Sequence, residues 1–268
     1  MDDKKKRYQT MRNASISGSQ AEVAHRYGAA VKEHIVAYSG GDQETGQTMQ
    51  KSLKSVFEEK ISGKQPYQSI KAQAGYAAEI ETVAKENAEQ IIAGDPVRSS
   101  RTDDISKNLK SSSGQSVGGV NNQLYDIISI AEDGSYIEGS ARQLKYVGKN
   151  ASECCDRLLL KKFDKYRDAK ASIEIPKDFY DDVKGELDRR AERLNDQIKS
   201  ANERGKEDLV QKHRSSLEQV TKTKENLRCG KLTSEEAIEA RLHPRLTTAK
   251  NIAEVSNRAG IEAAKTGA

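Results

Sequence analysis

One stretch of this chain, residues 124 to 147, is rich in strand-forming residues around an Asp-Gly turn signal, and helical periodicity dominates on both sides of it. A sheet built mainly from so short a region cannot enclose a core by itself, so helices must cover it. The composition agrees. Only 35% of the 268 residues are apolar, Trp is absent and Phe occurs three times, which leaves material for a thin interior and long, solvated helices. The expected fold class is α+β and mostly helical, with a small mixed sheet flanked by helices.

The charges nearly cancel, 45 basic against 41 acidic for a net +4, so contact with a polyanion has to come from a local patch. Cys154, Cys155 and Cys229 neither form a disulfide framework nor match zinc spacing, and the four histidines are scattered. No apolar run is long enough to span a membrane, and the opening MDDKKKRYQT is charged where a signal peptide is apolar. A cytoplasmic location in a reducing compartment is the expectation.

Along the chain, residues 1–19 read as a disordered arm and 20–65 as an N-terminal helical region. Pro66 opens a long helix that Gly94-Asp95-Pro96 closes. Residues 98–121, rich in Ser and Gly, read as a loop or flap. Leu124 to Ala131 and Tyr136 to Val147 form the hairpin, a helix follows from Ser152 to about Ala169, and Ala171 to Ile175 is a short strand. Residues 183–230 read as an antiparallel helical hairpin divided at Gly205, an arm suited to a protein partner. Short helices on either side of Pro244 fill 231–268.

Three elements bring candidate chemistry together: Glu79 on the long helix, Asp126 on the first hairpin strand, and Gln143-Leu144-Lys145 on the second. Residues two apart on a strand share a face, so Gln143 and Lys145 point one way and Leu144 and Tyr146 the other. Two carboxylates, an amide oxygen and an ammonium around one point are what phosphodiester hydrolysis with Mg²⁺ requires. Glu81 or Glu86 could take the place of Glu79.

The segments GYAAEIE (75–81), NNQLYDIISI (121–130) and RQLKYV (142–147), followed by a helix and SIEIP, resemble the PD-(D/E)XK nuclease superfamily in its Q-x-K variant. The resemblance covers 66–182. It implies a restriction-endonuclease-like sheet, with Glu79, Asp126 and Gln143 binding Mg²⁺ or Mn²⁺ and Lys145 assisting the attacking water. It further implies a nucleic-acid substrate, DNA ahead of RNA, in a bacterial toxin, effector or phage-conflict setting, including delivery into a target cell. Arg98, Arg101, Lys161, Lys162 and Lys165 are the candidate phosphate contacts, and Asp103 and Asp104 candidate supports for the metal. The other reading is a non-catalytic nucleic-acid- or protein-binding adaptor that keeps the fold and uses the arm.

Overall fold

The computed structural model describes the backbone of residues 3–43 and 46–267, and side chains between residues 18 and 265. The disordered arm expected over 1–19 is corrected from residue 3 onward, where the backbone is already helical; residues 1 and 2 and the side chains before residue 18 lie outside the described residues. Helix α1 (Asp3–Ser39) leads through α2 (Leu53–Glu58) to α3 (Pro66–Ala93). Strands β1 (Arg98–Arg101), β2 (Ile127–Ile130) and β3 (Arg142–Leu144) follow, then α4 (Ala151–Leu158), α5 (Asp164–Asp168) and β4 (Ser172–Ile175). The long pair α6 (Lys177–Glu203) and α7 (Glu207–Asn226) returns to β5 (Leu227–Cys229), and α8 (Ser234–Leu242) and α9 (Pro244–Gly267) complete the described chain. Among the described residues, no helix is long and apolar enough to cross a membrane.

The architecture is α+β, one five-stranded mixed sheet between helices. The strands lie in chain order; β1–β2 and β2–β3 are antiparallel, while β3–β4 and β4–β5 are parallel. On one face α3 supplies Ala78 and Val83 against Ile127, Leu144 and Tyr146. The other face buries Ile173 and Ile175 under Leu158, Phe163, Val183, Leu187 and Val220. Ala74, Ala77, Ala78, Ala84 and Ala88 keep α3 slender, and α1, α8 and the sheet all pack on it.

Helix α3 begins and ends where local chemistry requires. Pro66 supplies no amide hydrogen at a position where none would be bonded, and Gly94 closes the helix in the left-handed conformation (φ 72°).

Several expectations need correction. Residues 98–121 are not all loop: Arg98–Arg101 is a sheet strand, and Thr102–Asp104 makes a 3-10 turn. RSSR has no apolar residue to reveal it, because its buried positions are matched by polar groups. Buried Asn87 on α3 accepts from the Ser99 amide at 2.8 Å and donates to the Ser99 carbonyl at 3.1 Å, covering the free edge of β1 as a neighbouring strand would.

The hairpin strands are shorter than expected. Asp126 stands one residue before β2, Lys145 one residue after β3, and between the strands the Asp133-Gly134 turn is retained, with Ala131 N bonding Ser135 O. The helix expected from Ser152 to Ala169 breaks at Leu159–Leu160, where the buried Arg167 guanidinium donates to the carbonyls of Leu158 (2.5 Å) and Leu160 (3.2 Å). Within the helical region expected over 20–65, α1 ends at Ser39 and α2 is a short helix from Leu53 capped by Ser52. Of the two helices around Pro244, α9 spans 24 residues and is not short. The arm ends in a strand, β5, which joins the sheet beside β4.

The Asn87 contact carries a prediction. Asn87→Ala strips both partners from a buried strand residue, and each orphaned backbone group costs about 1–3 kcal/mol. Urea unfolding is expected to show a loss of about 2 kcal/mol or more, and Asn87→Asp, which keeps the acceptor, a smaller one.

Candidate functional site

The candidate residues collect at one end of the sheet, where β1 and β3 finish and β2 begins. Asp126 is held there by backbone and side chain alike. Its amide donates to Arg142 O and its carbonyl accepts from Thr102 N, each at 2.8 Å. One carboxylate oxygen, Oδ2, accepts from the Leu144 amide at 2.8 Å and from Gln143 Nε2. The pleat divides β3 as its spacing predicts. Leu144 and Tyr146 enter the apolar cluster beneath α3, while buried Gln143 turns to Asp126.

Lys145 lies just past β3, fixed by its amide to Glu174 O at 2.7 Å. Its ammonium sits 5.1 Å from the centre of the Tyr166 ring. Burial holds its pKa below the ordinary lysine value, against the pull of the Asp126 and Glu79 carboxylates; Lys165 and Lys162 push the same way as burial.

Glu79 projects from α3 toward the same place through Arg101. This arginine, 1% exposed, donates from Nε to Glu79 Oε2 at 3.3 Å and from Nη2 to Asp103 Oδ2 at 3.0 Å, and its Nη1 lies 3.6 Å from Asp104 Oδ2. The two aspartates tie in neighbouring loops. Asp103 accepts from the Asn121 amide at 3.0 Å and Asp104 from the Gln50 amide at 2.6 Å. Burial first, and then the charge of Asp126, push the Glu79 carboxyl above the usual range despite Arg101. Burial likewise raises Asp126 and Asp104, partly offset at Asp126 by Lys145.

Glu79, Asp126, Gln143 and Lys145 therefore form one electrostatically connected group. Neither alternative glutamate joins it. Buried Glu81 accepts from Asn251 Nδ2 at 2.7 Å, and Glu86 binds Arg142, which also reaches Glu174 at 2.9 Å.

The candidate phosphate contacts separate into two groups. Exposed Lys162 and Lys165 stand close enough to act on the Lys145 charge, and Lys165 Nζ reaches Gln123 Oε1 at 3.2 Å. Lys161 is exposed on the same 3-10 turn as Lys162. Arg98 is at the far end of β1, turned to the carbonyls of Asp95 and Val97. Arg101 is a buried clamp on three carboxylates and presents no surface to a polyanion; its isolation among Ser, Thr and Asp gave no sequence sign of burial.

Four carboxylates, Glu79, Asp103, Asp104 and Asp126, face one guanidinium and one ammonium, a formal excess of two negative charges. Among the described residues, no group of three or more His, Cys, Asp or Glu side chains is gathered to hold a metal ion. A hard divalent cation would draw on Glu79, Asp126 and an amide oxygen instead. Gln143 presents its nitrogen to Asp126, and a half-turn of its amide exchanges that donor for Oε1. The donor set and the charge excess both fit Mg²⁺ or Mn²⁺.

The raised carboxyl of Glu79 makes stability depend on pH. Above the ordinary glutamate value of 4.5 the unfolded chain loses its proton while the folded chain keeps it, so stability falls as pH rises through that window. Urea midpoints at about pH 5 and about pH 8 are expected to differ more in the parent protein than in Glu79→Gln; equal slopes would mean that Glu79 ionises normally in the fold. No protein-family model, curated protein or solved structure matches this chain, so the geometry and charge of the site carry its reading.

Proposed function

We propose that this protein hydrolyses phosphodiester bonds of nucleic acid, DNA ahead of RNA, as a metal-dependent nuclease of the PD-(D/E)XK type. The observation that carries the reading is the meeting of Glu79, Asp126, Gln143 and Lys145 from three elements at one sheet end, where the buried carboxyls are held above their usual range for want of enough positive charge. The element order supports it: a helix bearing the glutamate, an antiparallel strand pair beside Asp126 and Lys145, a helical segment and a strand parallel to the second of the pair follow the order on which the family resemblance rests, with β1 added at the edge.

In this reading Glu79, Asp126 and Gln143, through Oε1, hold Mg²⁺ or Mn²⁺. The ion supplies a Lewis acid for the phosphate and a means of acidifying water. Asp126 also keeps β2 and β3 in register through Leu144 N, so the ligand and the Q-x-K strand move together. Lys145, partly desolvated, orients the attacking water by hydrogen bonding and offsets the charge that grows on the phosphate oxygens. Lys162 and Lys165 extend the positive rim along which a phosphate backbone lies.

One observation favours a second reading, a binding protein that keeps this fold without catalysis. Arg101 already engages three of the carboxylates, and Gln143 satisfies the fourth. Plasmid and linear DNA incubated with Mg²⁺ or Mn²⁺ separate the two readings. Cleavage is expected, falling about 10²–10³-fold or more in Lys145→Met and in Asp126→Asn, which keeps the side chain's shape. Intact DNA under every metal condition would leave the binding reading, and full activity in both variants would take Lys145 and Asp126 out of the cleavage.

A further inference from the structure

A pocket of about 240 Å³ opens at the same sheet end as the candidate site, lined by Tyr67, Gln68 and Lys71 of α3, by Val147 to Lys149 after β3, and by Arg157 of α4. Its wall is the direct continuation of the strand that carries Lys145. Lys149 stands four positions beyond Lys145, a reach of at most about 14 Å for an extended chain. At B-form spacing, about 3.4 Å per nucleotide along one strand, that is a few nucleotides from the proposed point of cleavage.

The chemistry of the pocket is aromatic and cationic. Tyr67 is 48% exposed, and the Lys71 ammonium lies 5.9 Å from the centre of its ring. Lys71 also donates to Gly148 O, bracing α3 against the β3–α4 connection. Lys149 is exposed, and its ammonium has no hydrogen bond or ion pair among the described residues. Arg157 is matched by Glu153 at 2.6 Å, the one acid on the lining, so Lys71 and Lys149 leave the pocket positive. Gly148 makes the floor possible. Its φ is 82°, and a Cβ there would fall 2.4 Å from Cys154 N, so the chain lies flat against the start of α4.

We propose that this pocket takes an unpaired base of the substrate strand, stacked on Tyr67, with its flanking phosphates on Lys71 and Lys149. Gln68 is placed to meet the polar edge of the base. The inference rests on the nuclease reading and narrows it: the preferred substrate carries a single-stranded segment or tail next to the scissile bond, because a base paired within a continuous duplex offers no free face to the ring.

The test is fluorescence anisotropy in metal-free buffer with EDTA, using three labelled DNAs of about twelve nucleotides: single-stranded oligothymidylate, a blunt duplex, and a duplex with a short single-stranded tail. The parent protein is expected to bind the single-stranded and tailed probes more tightly than the blunt one. Tyr67→Ala, a change at an exposed position, is expected to weaken those two by roughly 5- to 150-fold, with Tyr67→Phe close to the parent. Lys149→Ala is expected to lower the salt dependence by about one phosphate contact. Equal affinity for all three probes, or a Tyr67→Ala variant that binds like the parent while DNA is still cleaved with Mn²⁺, overturns the pocket and leaves the nuclease reading standing. Failure to bind any probe, together with DNA left intact, removes both.

Discussion

The Asp126 carboxylate takes a place that a strand residue would otherwise fill. Strands β2 and β3 share a single paired position, Ile127 with Arg142, and beyond it Asp126 accepts the Leu144 amide that would otherwise end without a partner. A buried acid is thus a structural joint, and its charge has to be met nearby. The charges of Lys145, one residue past that amide, and of Arg101 on the neighbouring strand both act on it and partly offset its burial. From this joint follow the direction of Gln143, the burial of Arg101 and the approach of Glu79.

A second set of buried charges sits farther along the sheet. Arg142 bridges Glu86 on α3 and Glu174 on β4, and burial pushes the Glu174 carboxyl up to about 7. This set pins α3 to two strands, and Ser99 adds a hydroxyl bond to Glu86 at 2.6 Å. Glu79 and Glu86 stand seven residues apart, two turns of α3, so one helix delivers an acid to each cluster. Such paired buried charges contribute less to net stability than apolar packing would, yet removing one partner is costly; they hold orientation. The placing of Glu79 depends on the orientation of α3.

Much of this arrangement was legible in the chain. The limits of α3 rest on Pro66 and Gly94, the Asp133-Gly134 turn on its dipeptide, and the division of residues 143–146 between two faces on strand alternation. The convergence of Glu79 with Asp126, Gln143 and Lys145 could be anticipated because each lies on, or one residue beyond, an element that period and punctuation reveal. Strand β1 was hidden for the opposite reason: RSSR is buried by polar partners, Asn87 and Glu86 for Ser99 and Glu79, Asp103 and Asp104 for Arg101, and hydrophobic period is silent about such burial. The break between α4 and α5 depends on Arg167 reaching back to carbonyls that no local pattern marks. Strand β5, three residues long with one buried, could not be told from the end of a helix without β4 beside it.

The α6–α7 hairpin leaves the sheet from β4 and re-enters it through β5, so both roots of this long projection rest on adjacent strands. The Glu174 carbonyl on β4 anchors the backbone of Lys145. A load applied to the distant tip is therefore borne first by the strand pair whose inner member holds the Lys145 backbone.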